Sequence, residues 1–64
     1  MIIGTFEIPG QYIAQLATNE TRSHWYVTYG LQVKSFKTFD WAWSEFQACC
    51  RHSAECAGWL DNHL

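Results

Sequence analysis

Up to Phe39 the chain reads as short strands with a partial two-residue alternation, and beyond it the apolar residues recur at the spacing of a helix. Ile2, Ile3, Phe6 and Ile8 form a β-prone run that Pro9-Gly10 ends with a turn or bulge signal. From Gln11 to Thr18 the alternation is weak: Tyr12, Ala14 and Leu16 point one way and Ile13 the other. The polar stretch Asn19-Glu20-Thr21-Arg22-Ser23 has no period and reads as a loop. His24–Tyr29 is the clearest strand, with Trp25, Val27 and Tyr29 on one face and Tyr26 and Thr28 on the other. Gly30 offers the positive-φ residue of a tight reversal, and Leu31–Phe39 returns as a further strand. Along that return Phe36 falls out of step with Leu31 and Val33, which predicts a β-bulge near Ser35 or a turn longer than two residues.

From Asp40 the period changes. Thr38 or Asp40 can cap a helix, and Glu45 in its early turns suits the positive end of the helix dipole. With Trp41 set to zero on a helical wheel, Ala42, Trp43, Phe46, Cys49, Cys50, Ser53 and Ala57 fall between about 80° and 200°. Ser44, Gln47, Arg51 and Glu55 gather between about 240° and 320°. The pattern predicts a helix over about residues 40–56, stopped by Gly58, with Phe46 and Trp43 as its core anchors. Trp59 and Leu60 would then fold back or cover one end of the core. The expected architecture is α+β: one small two-layer domain over residues 1–64, with a sheet over about 2–39, the helix, and a short C-terminal tail. The sheet is read as a three-stranded antiparallel meander with room for a short extra N-terminal segment. Which sheet face meets the helix is left open.

Composition narrows the possibilities. A chain of 64 residues with 48% apolar, 17% aromatic and 16% charged residues is too small for a multidomain enzyme and too apolar for disorder. Its net charge of -2 comes from only four Lys and Arg against six acids, so clustered cations for gripping phosphates are lacking and direct nucleic-acid binding is not expected. The charge is uneven: residues 1–39 hold two acids and three bases, and residues 40–64 hold four acids and one base. An acidic second half suits a basic partner surface. No run approaches the ~20 apolar residues of a membrane helix, and Ile2-Ile3 is too short for a signal segment. Three cysteines, an odd number, argue against a secreted disulfide framework, and the glycosylation triplet Asn19-Glu20-Thr21 is read as chance. The expected location is the cytoplasm.

Candidate chemistry is sparse. Cys49, His52 and Cys56 share a helix edge, and His63 can in principle complete a tetrahedral zinc site. Cys49 and Cys56, however, lie about 10.5 Å apart along a straight helix, so three ligands converge only if the helix breaks near Ser53. Such a break would also let Cys50 approach Cys56. Cys49 and Cys50 are read as small core hydrophobes, and neither zinc nor another cofactor is expected. No nucleophile occupies a strand-to-helix elbow, His24 reads as an exposed strand end, and Asp40 and Glu45 diverge around the helix. No enzymatic activity is expected.

Eleven aromatics, four Trp, three Tyr and four Phe, exceed what a two-layer core of this size encloses. Trp41 is the plainest surplus, about 140° around the helix from Phe46. It forms a second stripe with Glu45 and His52, beside Asp40 at the helix start, while Tyr26 opposes Trp25 across the sheet. Trp and Tyr are enriched among binding hot spots, so Trp41, Glu45, His52, Asp40 and Tyr26 are the candidate protein-binding residues. The competing reading covers Trp41 with Trp59 and the tail.

In size, charge balance and helix-on-sheet plan the chain resembles the small inhibitors encoded by phages and mobile elements, anti-CRISPR proteins among them. No motif carries that resemblance, so no functional residue transfers with it. What it implies is a stoichiometric block of a surface on a larger protein or ribonucleoprotein complex of the host cytoplasm. Two alternatives stay open: a self-associating structural or regulatory protein, such as a homodimer, and a small zinc protein built on Cys49, His52 and Cys56.

Overall fold

The computed structural model describes residues 1–58. Four strands, β1 (Ile2–Phe6), β2 (Ala14–Thr18), β3 (Trp25–Tyr29) and β4 (Gln32–Phe36), precede one helix, α1 (Phe39–Cys56). The strands pair as neighbours in chain order and are all antiparallel, so the sheet is a four-stranded meander. The α+β plan of a meander followed by a helix is as expected, but the strand count is four and not three. The short N-terminal segment is a full edge strand. Its alternation is masked because a bulge between Ile2 and Gly4 shifts its register against β2.

No bulge lies in β4. Its register with β3 is unbroken from Trp25 opposite Phe36 to Tyr29 opposite Gln32, which leaves a two-residue turn of Gly30 and Leu31. Gly30 takes φ 61°, the position that glycine fills in a type II′ hairpin turn. Leu31 is therefore a turn residue and not the first of the strand. Counting from Gln32 instead brings Phe36 back into step with Lys34 on the inner face.

That inner face is the one carrying Trp25, Val27 and Tyr29, and it is roofed by α1. Ala14, Leu16, Val27, Ala42, Phe46 and Cys49 form the buried cluster, with Phe6, Trp25, Tyr29, Phe36 and Cys50 half-buried around it. The centre is built of small or medium side chains: Ala14, Leu16, Ala42 and Ser53 are each 0% exposed. Small residues let the helix lie close to the sheet, and a Cβ placed on Gly4 would already stand 3.8 Å from the Phe46 ring.

Local chemistry sets the boundaries of α1. Thr38, in an extended conformation, caps it by accepting a hydrogen bond from the Trp41 backbone N–H at 3.4 Å, so the first helical residue is Phe39. At the other end Ala57 N–H donates to the Ser53 carbonyl and Gly58 N–H to that of Glu55, with Gly58 at φ 79° in the left-handed region. The strand connections are equally explicit. Gln11 N–H donates to the Ile8 carbonyl around Pro9-Gly10. In the loop before β3, Asn19 Oδ1 accepts from the Ser23 and His24 backbone N–H groups, and Arg22 sits at φ 56°. Among the described residues no helix is long and apolar enough to cross a membrane.

Candidate functional site

The helix has two flanks, and aromatic side chains occupy both. On the flank beside β4, Trp41 is 73% exposed and lines an open hollow of about 460 Å³ with Ser35, Phe36, Lys37 and Thr38. Its position follows from the cap. Thr38 fixes where the helix begins, and the third helical residue is thereby turned away from the buried cluster and toward the end of β4.

Glu45 follows one turn later on this flank. Its carboxylate accepts from Lys34 Nζ at 3.1 Å and faces the Cys49 thiol at 3.8 Å. Lys34 lies opposite Val27 and so belongs to the inner face, from which its long side chain reaches the helix edge. The acidic surround expected for Trp41 is thus altered: Glu45 is already engaged, and the hollow itself is walled by Lys37. Asp40 stands in the first turn, where its charge suits the helix dipole.

His52 lies further along the helix, exposed, with its ring packed edge-on against Tyr29 at a centroid distance of 6.0 Å. Its Nε2 stands 3.6 Å from Cys56 Sγ. The five expected binding residues therefore do not share one surface. Asp40, Trp41 and Glu45 are neighbours at the start of the helix, His52 is about 16 Å along the axis from Trp41, and Tyr26 is on the sheet face opposite the helix, which no other described element covers. That outer face carries Thr5, Gln15, Ala17, Tyr26, Thr28, Val33 and Ser35, none of them charged.

Trp43 departs from the core role expected of it. It is 41% exposed, stacked on Phe39 at 5.9 Å and tilted against Phe46 at 5.8 Å, and Phe39 meets Trp25 edge-on at 6.4 Å. These rings make a second aromatic margin, on the other flank of α1. Phe39 closes a hollow of about 440 Å³ there, with Met1, Ile2, Ile3, Arg22 and Trp25. The expectation missed this margin because Trp43 lies at the very end of the apolar arc, about 200° from Trp41. The exposed end of an arc was the signal available. Trp59 and Leu60, expected over the core or over Trp41, and His63, the fourth zinc ligand considered, lie outside the described residues.

All three cysteines are free. α1 runs unbroken through Ser53, so Cys50 and Cys56 are not brought together. Cys49 faces the core, and burial, with the Glu45 carboxylate beside it, pushes its thiol pKa up. Burial likewise raises that of Cys50. No group of three or more metal-binding side chains occurs among the described residues. Comparison of the chain with family models, curated proteins and solved structures finds no match.

Proposed function

We propose that this protein is a non-enzymatic binding module that occludes a surface of a larger protein or ribonucleoprotein complex, in the manner of the small phage-encoded inhibitors it resembles. The observation that carries the reading is Trp41. A tryptophan that contributes almost nothing to the core is held at a capped helix start, beside a hollow whose floor is Phe36 and the β4–α1 connection. Such a side chain is a binding anchor of low entropic cost, because the helix already fixes its backbone.

Lys37 and Asp40 bracket Trp41 with one charge of each sign. A matching partner surface offers an apolar side chain to the hollow and a mixed-charge rim around it. The Lys34–Glu45 pair below it adds no net charge.

The test is functional. CRISPR interference against a transformed plasmid is measured in cells expressing the wild-type chain or Trp41→Ala. Restored transformation by the wild type, lost in Trp41→Ala at equal protein level, supports the reading. Full interference in the presence of the wild type, across the effector types, overturns the inhibitor assignment. In a complex with the purified effector, Trp41→Ala is expected to weaken affinity by about 2 kcal/mol or more, the threshold of a hot spot.

A further inference from the structure

The imidazole of His52 and the thiol of Cys56 are one helical turn apart, and both are exposed. Their facing atoms, Nε2 and Sγ, are 3.6 Å apart. A tetrahedral zinc centre with Zn–N of about 2.05 Å and Zn–S of about 2.3 Å sets its nitrogen and sulfur ligands about 3.6 Å apart. The pair therefore already has the bite of a tetrahedral soft cation, with no movement of the backbone. The Tyr29 ring meets the imidazole in a T-shaped contact at 6.0 Å, which restricts how the imidazole can turn. Cys49, the third ligand considered from the sequence, faces the core instead, so this chain's described residues supply two ligands and not three.

Two ligands leave half of a tetrahedron empty. We propose that His52 and Cys56 are one half of a zinc-type site for a soft d10 cation, and that a second copy of this chain supplies the other half. The pair lies on the exposed flank of a straight helix, so two copies related by a two-fold axis can present the same two atoms to one ion. Two histidines and two thiolates complete a closed structural set. Charge favours it as well. Each chain has a net charge of -2, and a divalent ion between two thiolates leaves the centre neutral. On binding, each Cys56 thiol releases its proton to solvent and its sulfur forms the bond to the metal, while each His52 binds as the neutral imidazole. No electron is transferred.

The site lies about 16 Å along the helix from Trp41 and is tested without any partner protein. Cobalt(II), which reports tetrahedral thiolate coordination by its visible absorption, is titrated into the reduced chain while light scattering follows the mass. The expected result is a thiolate–cobalt band that saturates at one ion per two chains as the mass doubles, with zinc(II) bleaching the band. Cys56→Ser and His52→Gln should each abolish both signals, and Cys50→Ser should leave them unchanged. Absence of the band, saturation at one ion per chain without a change of mass, or a band that survives Cys56→Ser would each overturn the proposal.

Discussion

The seam between helix and sheet differs sharply from the margins on either side of it. The seam is made of small or medium residues, Ala14, Leu16, Val27, Ala42 and Ser53, nearly or wholly without exposure. The margins carry the tryptophans: Trp41 on one flank and Trp43, stacked on Phe39, on the other. In so short a chain the interlayer space is fixed by how closely the helix can approach, and large rings at its centre would prop the layers apart. The aromatic volume is therefore displaced to the edges. Stability resides in the seam, and among the described residues the margins are left exposed. Phe46 joins the two, since it is 8% exposed yet touches Trp43.

The largest expected effect tests that junction. Phe46→Ala should cost about 3–5 kcal/mol, the range for truncating a buried aromatic. That is close to the whole stability of a domain this small, so chemical denaturation should show the variant largely unfolded at 25 °C. Trp43→Ala should cost about 1–2 kcal/mol, because its ring is partly solvated and loses mainly its stacking partners. If it destabilises as much as Phe46→Ala, the margin is core and the contrast between the regions collapses.

Shallower still is the expected response to alkali. Burial raises the Cys49 and Cys50 thiols above their ordinary 9.0, with Glu45 adding to the rise at Cys49 and Lys34 opposing it. Tyr29 is raised above 10.0, again chiefly by burial, with the nearby Ser53 hydroxyl opposing the rise. Groups with raised folded pKa leave stability intact while they stay protonated in both states. As pH climbs past 9 the unfolded chain sheds these protons first, so stability should fall on that side. Thermal melts at pH 7, 9 and 10 check the sign, and a melting temperature that rises from 7 to 10 would contradict it.

The smallest effects belong to the β4 flank. Glu45→Gln, which breaks the partly exposed ion pair with Lys34, should cost about 0.2–1 kcal/mol. Trp41→Ala should stay within about 0.5 kcal/mol of wild type. An unfolded Trp41→Ala would place Trp41 in the core and remove the basis for a binding role.

Much of this arrangement was legible in the sequence, and its failures have specific causes. The change of period at Phe39 located the helix to within a residue, because a capping Thr38 and a stopping Gly58 bracket one amphipathic arc. Trp41 was recognisable as exposed because it lies far outside that arc. β1 was not recognised as a full strand because its bulge breaks the alternation that identifies strands. The apparent irregularity at Ser35 disappears because Gly30 and Leu31 together make the turn and β4 begins at Gln32. A helical wheel gives the direction of Trp43 but not how wide a strip the sheet covers, so its partial exposure is not encoded locally. The engagement of Glu45 by Lys34 joins residues 11 apart across two elements, and no local pattern encodes it.

Among the described residues β1 and β4 are open edges of the meander, and neither is a good template for another strand. β1 is kinked by its bulge, and β4 turns the charged Lys34 to the face that a continuing sheet would have to bury. Strand-by-strand growth into fibrils is thereby discouraged on both sides of a chain with few charges to keep it apart from its copies. Among the described residues, an uncharged sheet face and two aromatic margins stay uncovered beside edges that do not invite a further strand.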